Sequence, residues 1–254
     1  MELKGKTALI TGSCGKGMGR STALRLGREG ANIVLNYGTH RAGAEVEADA
    51  RRIAEAIGEL GGRAIVQKAD TTNEDEVKAM VAAACGEFGK IDILVNNAGG
   101  AWDARDYTEI DLNHFKKVLA TEIDGAFLTM KHVVPGMRER RWGRIVHISL
   151  TFALWMDSVK GMAPDYCLGK AARSWMTMAF GSQEFKHGIT VNCIEPGVTP
   201  PLEFDEALKA AAGNYSSFGK REQANCHDVA EIIAFLCSDA GRFVSQSFIR
   251  LPMA

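Results

Sequence analysis

No stretch of this 254-residue chain is apolar for long enough to cross a bilayer. A basic segment followed by an apolar stretch and a small-residue cleavage site is also lacking, because "MELKGKTALI" passes straight into a strand pattern. The expectation is a soluble, cytoplasmic protein with no membrane partner. An excess of charge is missing too. The formal net charge is -1, which gives no electrostatic reason to expect nucleic acid or an anionic membrane as a partner and leaves a small molecule as the expected one. The six cysteines (Cys14, Cys85, Cys167, Cys193, Cys226 and Cys237) show no CxxC spacing and no adjacent histidine cluster, so no metal site is expected. They read as reduced packing residues; Cys14, in a glycine-rich loop, and Cys167, beside Tyr166, are the two that could instead be reactive thiols. Repeats, low-complexity tracts and linkers are absent, and apolar residues make up 46% of the chain against 24% charged, so one domain over residues 1–254 can enclose a large core.

Short β-branched runs alternate with longer amphipathic stretches. The runs are "TALI", "NIVL", "AIVQ", "IDILVNN", "RIVHIS", "ITVNCI" and "SFIRL", and helical patterns fall near 19–29, 41–60, 74–88, 111–140, 166–187 and 227–238. In the second of these, Val46, Ala50, Ile53, Ile57 and Leu60 recur three or four apart, the period of one helical face. This rhythm predicts an α/β fold of the Rossmann type, a doubly wound parallel sheet of seven strands with helices on both faces. The least regular stretch, residues 199–224, follows a strand and reads either as a substrate lid or as a surface loop with one short helix.

After the first strand comes "TGSCGKGMGR", which opens directly into a helix. Its glycines let the backbone approach a pyrophosphate closely, and the helix start offers unpaired N–H groups and a partial positive charge. A NAD site usually carries an acid at the end of the second strand, to bond the ribose hydroxyls. Here "LNYGTHR" has no carboxylate. Asn36 and Tyr37 would tolerate a 2'-phosphate, and Lys16, His40 or Arg41 could neutralise it, so NADP(H) is expected ahead of NAD(H). Further on, Tyr166 and Lys170 stand four apart in "YCLGK", a spacing that puts both on one helical face, where a phenol and an ammonium can move a proton.

Taken together, "TGSCGKGMG", "NNAG" at 96–99, "YCLGK" at 166–170 and "NCIEPG" at 192–197 resemble the short-chain dehydrogenase/reductases across nearly the whole chain. The resemblance implies that Gly12, Ser13, Lys16, Gly17, Met18 and Gly19 cradle the pyrophosphate. It further implies that Asp70 and Thr71 lie at the adenine and that Asn97, Ala98 and Gly99 line the adenosine ribose. The turn of Pro196, Gly197 and Val198 would face the nicotinamide. Tyr166 would be the proton donor or acceptor, with Lys170 holding the nicotinamide ribose and lowering the tyrosine pKa. A homo-oligomer, tetramer or dimer, is implied through the helices starting near 111 and 166. The apolar "SWMTMAF" on the second of these fits an interface or the core equally.

The sequence also departs from the family. The glycine loop is longer than usual and has Lys16 just before Gly17, a placement that in this family accompanies NADP. The serine expected at the end of "HISL" is replaced by Leu150, and the asparagine that usually kinks the long helix is replaced by Glu122 in "TEI". The chain ends "FIRLPMA", without the usual "VDGG". Losing one donor to a developing oxyanion typically costs on the order of 100-fold to 1,000-fold in rate. Ser149 or Thr151 could restore the donor only if the strand end bulges; the other reading is that both hydroxyls bond backbone. Leu150 either packs a substrate ring or fills a void. With Phe152, Leu154, Trp155 and Met156 in a lengthened connection to Tyr166, it suggests an apolar, bulky substrate, although packing explains the same residues. Glu122 either turns to solvent or sits by Lys170, where an anion would keep Tyr166 a neutral phenol, a donor suited to reduction. Three functions therefore compete. The leading one is an NADP-dependent oxidoreductase acting on a carbonyl or activated double bond. The others are a non-redox isomerase, lyase or cyclase using Tyr166 and Glu122, and a non-catalytic NADP-binding protein.

Overall fold

The computed structural model describes residues 2–38, 43–100, 103–151, 163–213 and 221–251. Seven strands, β1 (Thr7–Ile10), β2 (Asn32–Tyr37), β3 (Arg63–Lys68), β4 (Ile93–Asn96), β5 (Gly143–Ile148), β6 (Ile189–Glu195) and β7 (Phe248–Arg250), form one sheet. The order is β3-β2-β1-β4-β5-β6-β7 with every pair parallel, the expected α/β architecture. The helices are α1 (Met18–Arg28), α2 (Ala44–Glu59), α3 (Glu74–Phe88), α4 (Leu112–Glu122), α5 (Asp124–Arg140), α6 (Pro164–Glu184), α7 (Phe204–Ala211) and α8 (Cys226–Cys237).

Strand alternation builds the two cores. Ala8, Ile10, Ile33, Leu35, Ile93, Val95, Val146 and Ile148 pack with Leu24 and Leu26 of α1, Ile53 and Ile57 of α2, and Ile233 and Leu236 of α8. Their neighbours Leu9, Val34, Leu94 and Ile145 point the other way, onto Met80 of α3 and Met130, Val133 and Met137 of α5. A sheet buried on both faces must read as continuous apolar runs, which is why these strands are so plain in the sequence. The order reverses between β1 and β4. In open α/β sheets a crevice forms at the carboxyl ends of the strands at such a point.

The helix expected over 111–140 is two helices, because the chain breaks at Ile123 (φ -99°, ψ -62°) between α4 and α5. At the break the carbonyls of Thr121 and Glu122 accept from the Arg173 guanidinium at 3.4 and 3.0 Å. A side chain inserted among main-chain acceptors is a common cause of a kink. Helix α6 begins earlier than expected, at Pro164, which has no N–H to leave unpaired at the first helical position. Within 199–224 lies the short helix α7. Arg20 of α1 bonds the Leu202 carbonyl just before it.

Candidate active site

The glycine-rich loop is tied down on both sides. Gly12 adopts a left-handed φ of +64°, and a Cβ there would meet the Ala98 Cα at 2.9 Å. A Cβ on Gly19 would meet the Asn97 amide nitrogen at 2.6 Å and the Gly12 carbonyl at 2.7 Å. The "NNAG" turn is stitched to the same loop. The Thr11 hydroxyl accepts from both the Asn97 and Ala98 N–H groups at 3.0 Å, and the Asn97 side chain donates to the Thr11 and Gly12 carbonyls at 2.8 and 3.0 Å. Backbone laid this close, without side chains on its surface, is a cradle that a pyrophosphate fits.

Asn36 and Ser13 shape that cradle from beneath. The Ser13 hydroxyl accepts from the Asn36 N–H at 3.0 Å, and the Asn36 carbonyl accepts from the Ser13 N–H at 2.8 Å. The Asn36 side chain accepts from the Gly12 N–H at 3.2 Å and donates to the Ala69 carbonyl at 3.0 Å. Its polar capacity is therefore used within the protein. Tyr37 is buried, with its hydroxyl 3.4 Å from Glu47. Lys16 is exposed and lies 3.7 Å from an equally exposed Glu203, a pairing too solvated to hold it in place.

A cleft of about 480 Å³ runs from Lys16, Met18 and Tyr37, past Asp70 and Thr71, then Asn97–Gly100, to Ile148, Tyr166 and Lys170. Asp49 and Glu45 of α2 also line its outer end, which the sequence reading did not anticipate. Gly17 caps α1 at the mouth. Pro196, Gly197 and Val198 follow β6, Pro196 buried and Val198 exposed. His40, Phe152 and Trp155 lie outside the described residues, as do Arg41, Leu154 and Met156. Cys14 lines the cleft, and burial pushes its thiol up to about 12, which favours the protonated form over the thiolate.

At the inner end Glu122 is fully buried and does not turn to solvent. One carboxylate oxygen accepts from the Gly100 N–H at 2.7 Å. The other lies 3.1 Å from the Lys170 ammonium and 2.8 Å from the Arg173 Nε, held by charge without an aligned hydrogen bond. Gly99 covers this cluster; a Cβ there would stand 2.7 Å from the carboxylate and 3.1 Å from the Lys170 nitrogen. Lys170 also donates to the Ile148 carbonyl at 3.2 Å. Burial, opposed by Glu122, pushes its pKa down to about 8. Tyr166 lies one turn earlier on α6, its ring centroid 5.1 Å from the Lys170 nitrogen. Burial first, and the Glu122 carboxylate second, hold its phenol above the usual tyrosine value.

The strand end before α6 offers no substitute for the missing serine. Ser149 donates to the Lys170 carbonyl at 2.7 Å and lies 2.9 Å from the Ser174 hydroxyl, while Thr151 donates to the Glu195 carbonyl at 2.6 Å. Both hydroxyls are buried in backbone bonding, with half-buried Leu150 between them. Two participants went unnoticed in the sequence. Arg173 is buried beneath the cluster and donates to the Asn96 carbonyl at 2.9 Å and to the Ile148 carbonyl at 3.2 Å. Gly169 leaves the space that Glu122 fills. An arginine three residues beyond Lys170, on the same helical face, was the available signal.

Among the described residues no group of three or more His, Cys, Asp or Glu side chains could hold a metal ion, and no helix is long and apolar enough to cross a membrane. The doubly wound sheet and the glycine cradle at its switch point define a dinucleotide-binding α/β protein, with a tyrosine–lysine pair at the inner end of its cleft. A family model described as Enoyl-(Acyl carrier protein) reductase matches residues 13–250. Cyclohexanol dehydrogenase from Acinetobacter sp. (strain SE19) is 30% identical over 246 residues, covering 95% of this chain and 91% of that one. The 3-oxoacyl-(acyl-carrier-protein) reductase of Staphylococcus aureus (strain N315) is 31% identical over 251 residues, covering 97% and 96%. A double mutant of a Serratia marcescens short-chain dehydrogenase/reductase superposes with a TM-score of 0.82 at 26% identity, covering 98% of this chain and 97% of that one. The chain belongs to the short-chain dehydrogenase/reductase superfamily, whose members bind NAD(P)(H), and its curated relatives are oxidoreductases.

Proposed function

We propose that the protein is an NADP-dependent reductase of a carbonyl or activated double bond in an apolar small molecule, with Tyr166 as proton donor. The observation that carries this reading is the placement of Tyr166 and Lys170 at the inner end of the cleft, beyond the glycine cradle. The fit to a nicotinamide nucleotide rests on the close-laid backbone at Gly12, Gly19 and Gly99, where a Cβ would collide with Ala98, with Asn97 and Gly12, and with Glu122 and so push the loops of the cradle apart. When bound, the nucleotide supplies or accepts the hydride. The protein's own part is the proton. A phenol held above its ordinary pKa stays protonated at neutral pH and can donate to an oxygen gaining negative charge, but it is a poor base, which supports the reductive direction. Lys170 keeps its charge beside Glu122, and with one ammonium proton on the Ile148 carbonyl it retains donor capacity for a ribose hydroxyl.

The absence of an acid at the end of β2 and the exposure of Lys16 support NADP over NAD. The acid/base alternative without redox chemistry is disfavoured, since Glu122 faces two cations and an N–H group and is a weak proton acceptor. The segment around α7, tethered to Arg20, suits a lid over the substrate. Exposed Leu112, Phe127, Leu168 and Trp175 on α4, α5 and α6 suit self-association into a dimer or tetramer. The test is absorbance of the reduced nicotinamide with NADPH and a panel of ketones, quinones and enones. Consumption is expected, with Tyr166→Phe slowing it by roughly 100-fold or more. Turnover surviving in Tyr166→Phe, or product formed without NADPH consumption, would sink the reading.

A further inference from the structure

We propose that Arg173 is a positioning residue: it supplies the counter-charge that seats the Glu122 carboxylate against the Lys170 ammonium, so that residues 122, 169 and 173 form one co-adapted unit. The inference rests on the proposed function in so far as Tyr166 and Lys170 are the groups served.

Three observations carry it. The first is charge. Glu122, Lys170 and Arg173 are 0%, 3% and 1% exposed, and a buried carboxylate is tenable only where it is paired. One negative and two positive groups leave the same net single positive charge that Lys170 would give alone between two neutral residues. A carboxylate at 122 without Arg173 would cancel Lys170, and Arg173 without the carboxylate would double the positive charge beside Tyr166. The second is space. A Cβ on Gly169 would lie 2.6 Å from the Glu122 Cβ and 2.7 Å from its Cγ, so the glycine in "YCLGK" is what admits the side chain. The third is anchorage. The rest of the guanidinium is spent on carbonyls of Asn96, Ala98, Thr121 and Ile148, which fixes it to β4, β5 and the α4–α5 break at once. Arg173 cannot swing away, so neither can Glu122.

Few other ionisable groups surround the cluster. Cys167 shares α6, and its thiol is held above its ordinary value by burial. His147 on β5 is pushed down to about 3 by burial, and the Cys193 thiol on β6 is pushed up to about 11, so both stay neutral through the working range. Burial sets the lowered Lys170 value first, and Glu122, which raises it, and Arg173, which lowers it, are the two charged groups that act on it next.

The experiment is the pH dependence of NADP+ affinity, measured by calorimetry on the full chain, which reads the loss of the Lys170 proton without any substrate. In the native protein the affinity is expected to weaken as pH rises through about 8. Glu122→Gln should move that limb down and Arg173→Met should move it up, each by roughly one to three pH units. The double change Glu122→Asn with Arg173→Met restores the charge count and should return the limb to its native place, and Arg173→Lys should displace it less than Arg173→Met does. Limbs moving together in the two single variants, or a double variant that stays displaced or does not fold, would overturn the proposal. An arginine that merely packed would lower thermal stability and leave the limb still. Failure of the proposed function is read separately, as turnover surviving in Tyr166→Phe.

Discussion

Gly169→Ala pits two effects of opposite sign against each other at one position. Alanine in place of glycine inside a helix contributes about 1 kcal/mol of stability, because the unfolded chain has less backbone freedom to lose. At Gly169, however, the added Cβ would stand 2.6 Å from the Glu122 Cβ, where carbon atoms prefer about 3.5–4.0 Å. Both atoms are fixed to backbone, so no side-chain rotation relieves the contact, and α4 and α6 must separate. Overpacking of this kind costs roughly 1–3 kcal/mol. If Glu122 is also driven off its cations, the broken buried pairs add roughly 3–5 kcal/mol. After the helical gain is subtracted, the expected net loss is up to about 2 kcal/mol if Glu122 keeps its cations and about 3–7 kcal/mol if it is driven off them, the second case a fall in Tm of roughly 6–28 °C for a chain of this size.

The assay is a calorimetric melt of the variant beside Gly86→Ala. A Cβ on Gly86, on the exposed side of α3, meets nothing within 4 Å, so helical preference acts unopposed there. Gly86→Ala should raise Tm by about 2–4 °C while Gly169→Ala lowers it. A rise in both would show that the space under Gly169 is not filled by Glu122 and would refute the reasoning about the cluster.

Other perturbations address neighbouring parts of the site. His147 is fully buried, and its pKa is lowered from 6.5 to about 3. Between these values the unfolded chain binds a proton that the native protein does not, so stability falls as pH falls, by about 1.4 kcal/mol per unit. His147→Phe should flatten the slope of unfolding free energy in that window, and an unchanged slope in urea titrations would assign the acid sensitivity elsewhere. Lys16→Glu should weaken NADPH binding at least ~10-fold more than NADH binding, since it places a carboxylate where a 2'-phosphate would sit; equal weakening in calorimetry would remove Lys16 from nucleotide choice. Leu150→Ser returns a hydroxyl to the strand end and should raise the rate of ketone reduction by roughly 10-fold to 100-fold, because one oxyanion donor is worth about that or more. A flat rate would mean that no donor is wanted there.

The parts that could be read from the sequence share a physical reason. Strands buried on both faces must be apolar throughout, so the runs from "TALI" to "ITVNCI" announced themselves, and the glycine cradle showed itself by spacing because no other residue tolerates the approach at Gly12 or Gly19. Helix ends were less legible. The break at Ile123 was missed because the amphipathic pattern runs on across it, and what marks the break is a guanidinium from a helix fifty residues away. Asn36 lines the cleft as expected of a nucleotide contact, but the bonds its amide makes with Gly12 and Ala69 leave no mark in the sequence. A polar residue at a strand end looks the same in a sequence whether it faces a ligand or its own backbone.

Arg173 is the instructive omission. A buried cation on an otherwise ordinary stretch of α6 has no periodic or motif signature, and arginine is common enough on helices to pass as solvated. It could have been found by carrying the departure at Glu122 one step further. A carboxylate placed where the fold buries a helix crossing must meet enough positive charge to remain ionised, and under the proposed function Lys170 has to keep its own net charge. A second cation within reach was therefore required by electrostatics alone. On α6 the positions facing α4 beside Lys170 are one turn on either side, Tyr166 and Arg173, and only Arg173 carries a charge. An unexpected charge in a known site is thus a reason to look for its partner one helical turn away before assigning it a role in the chemistry.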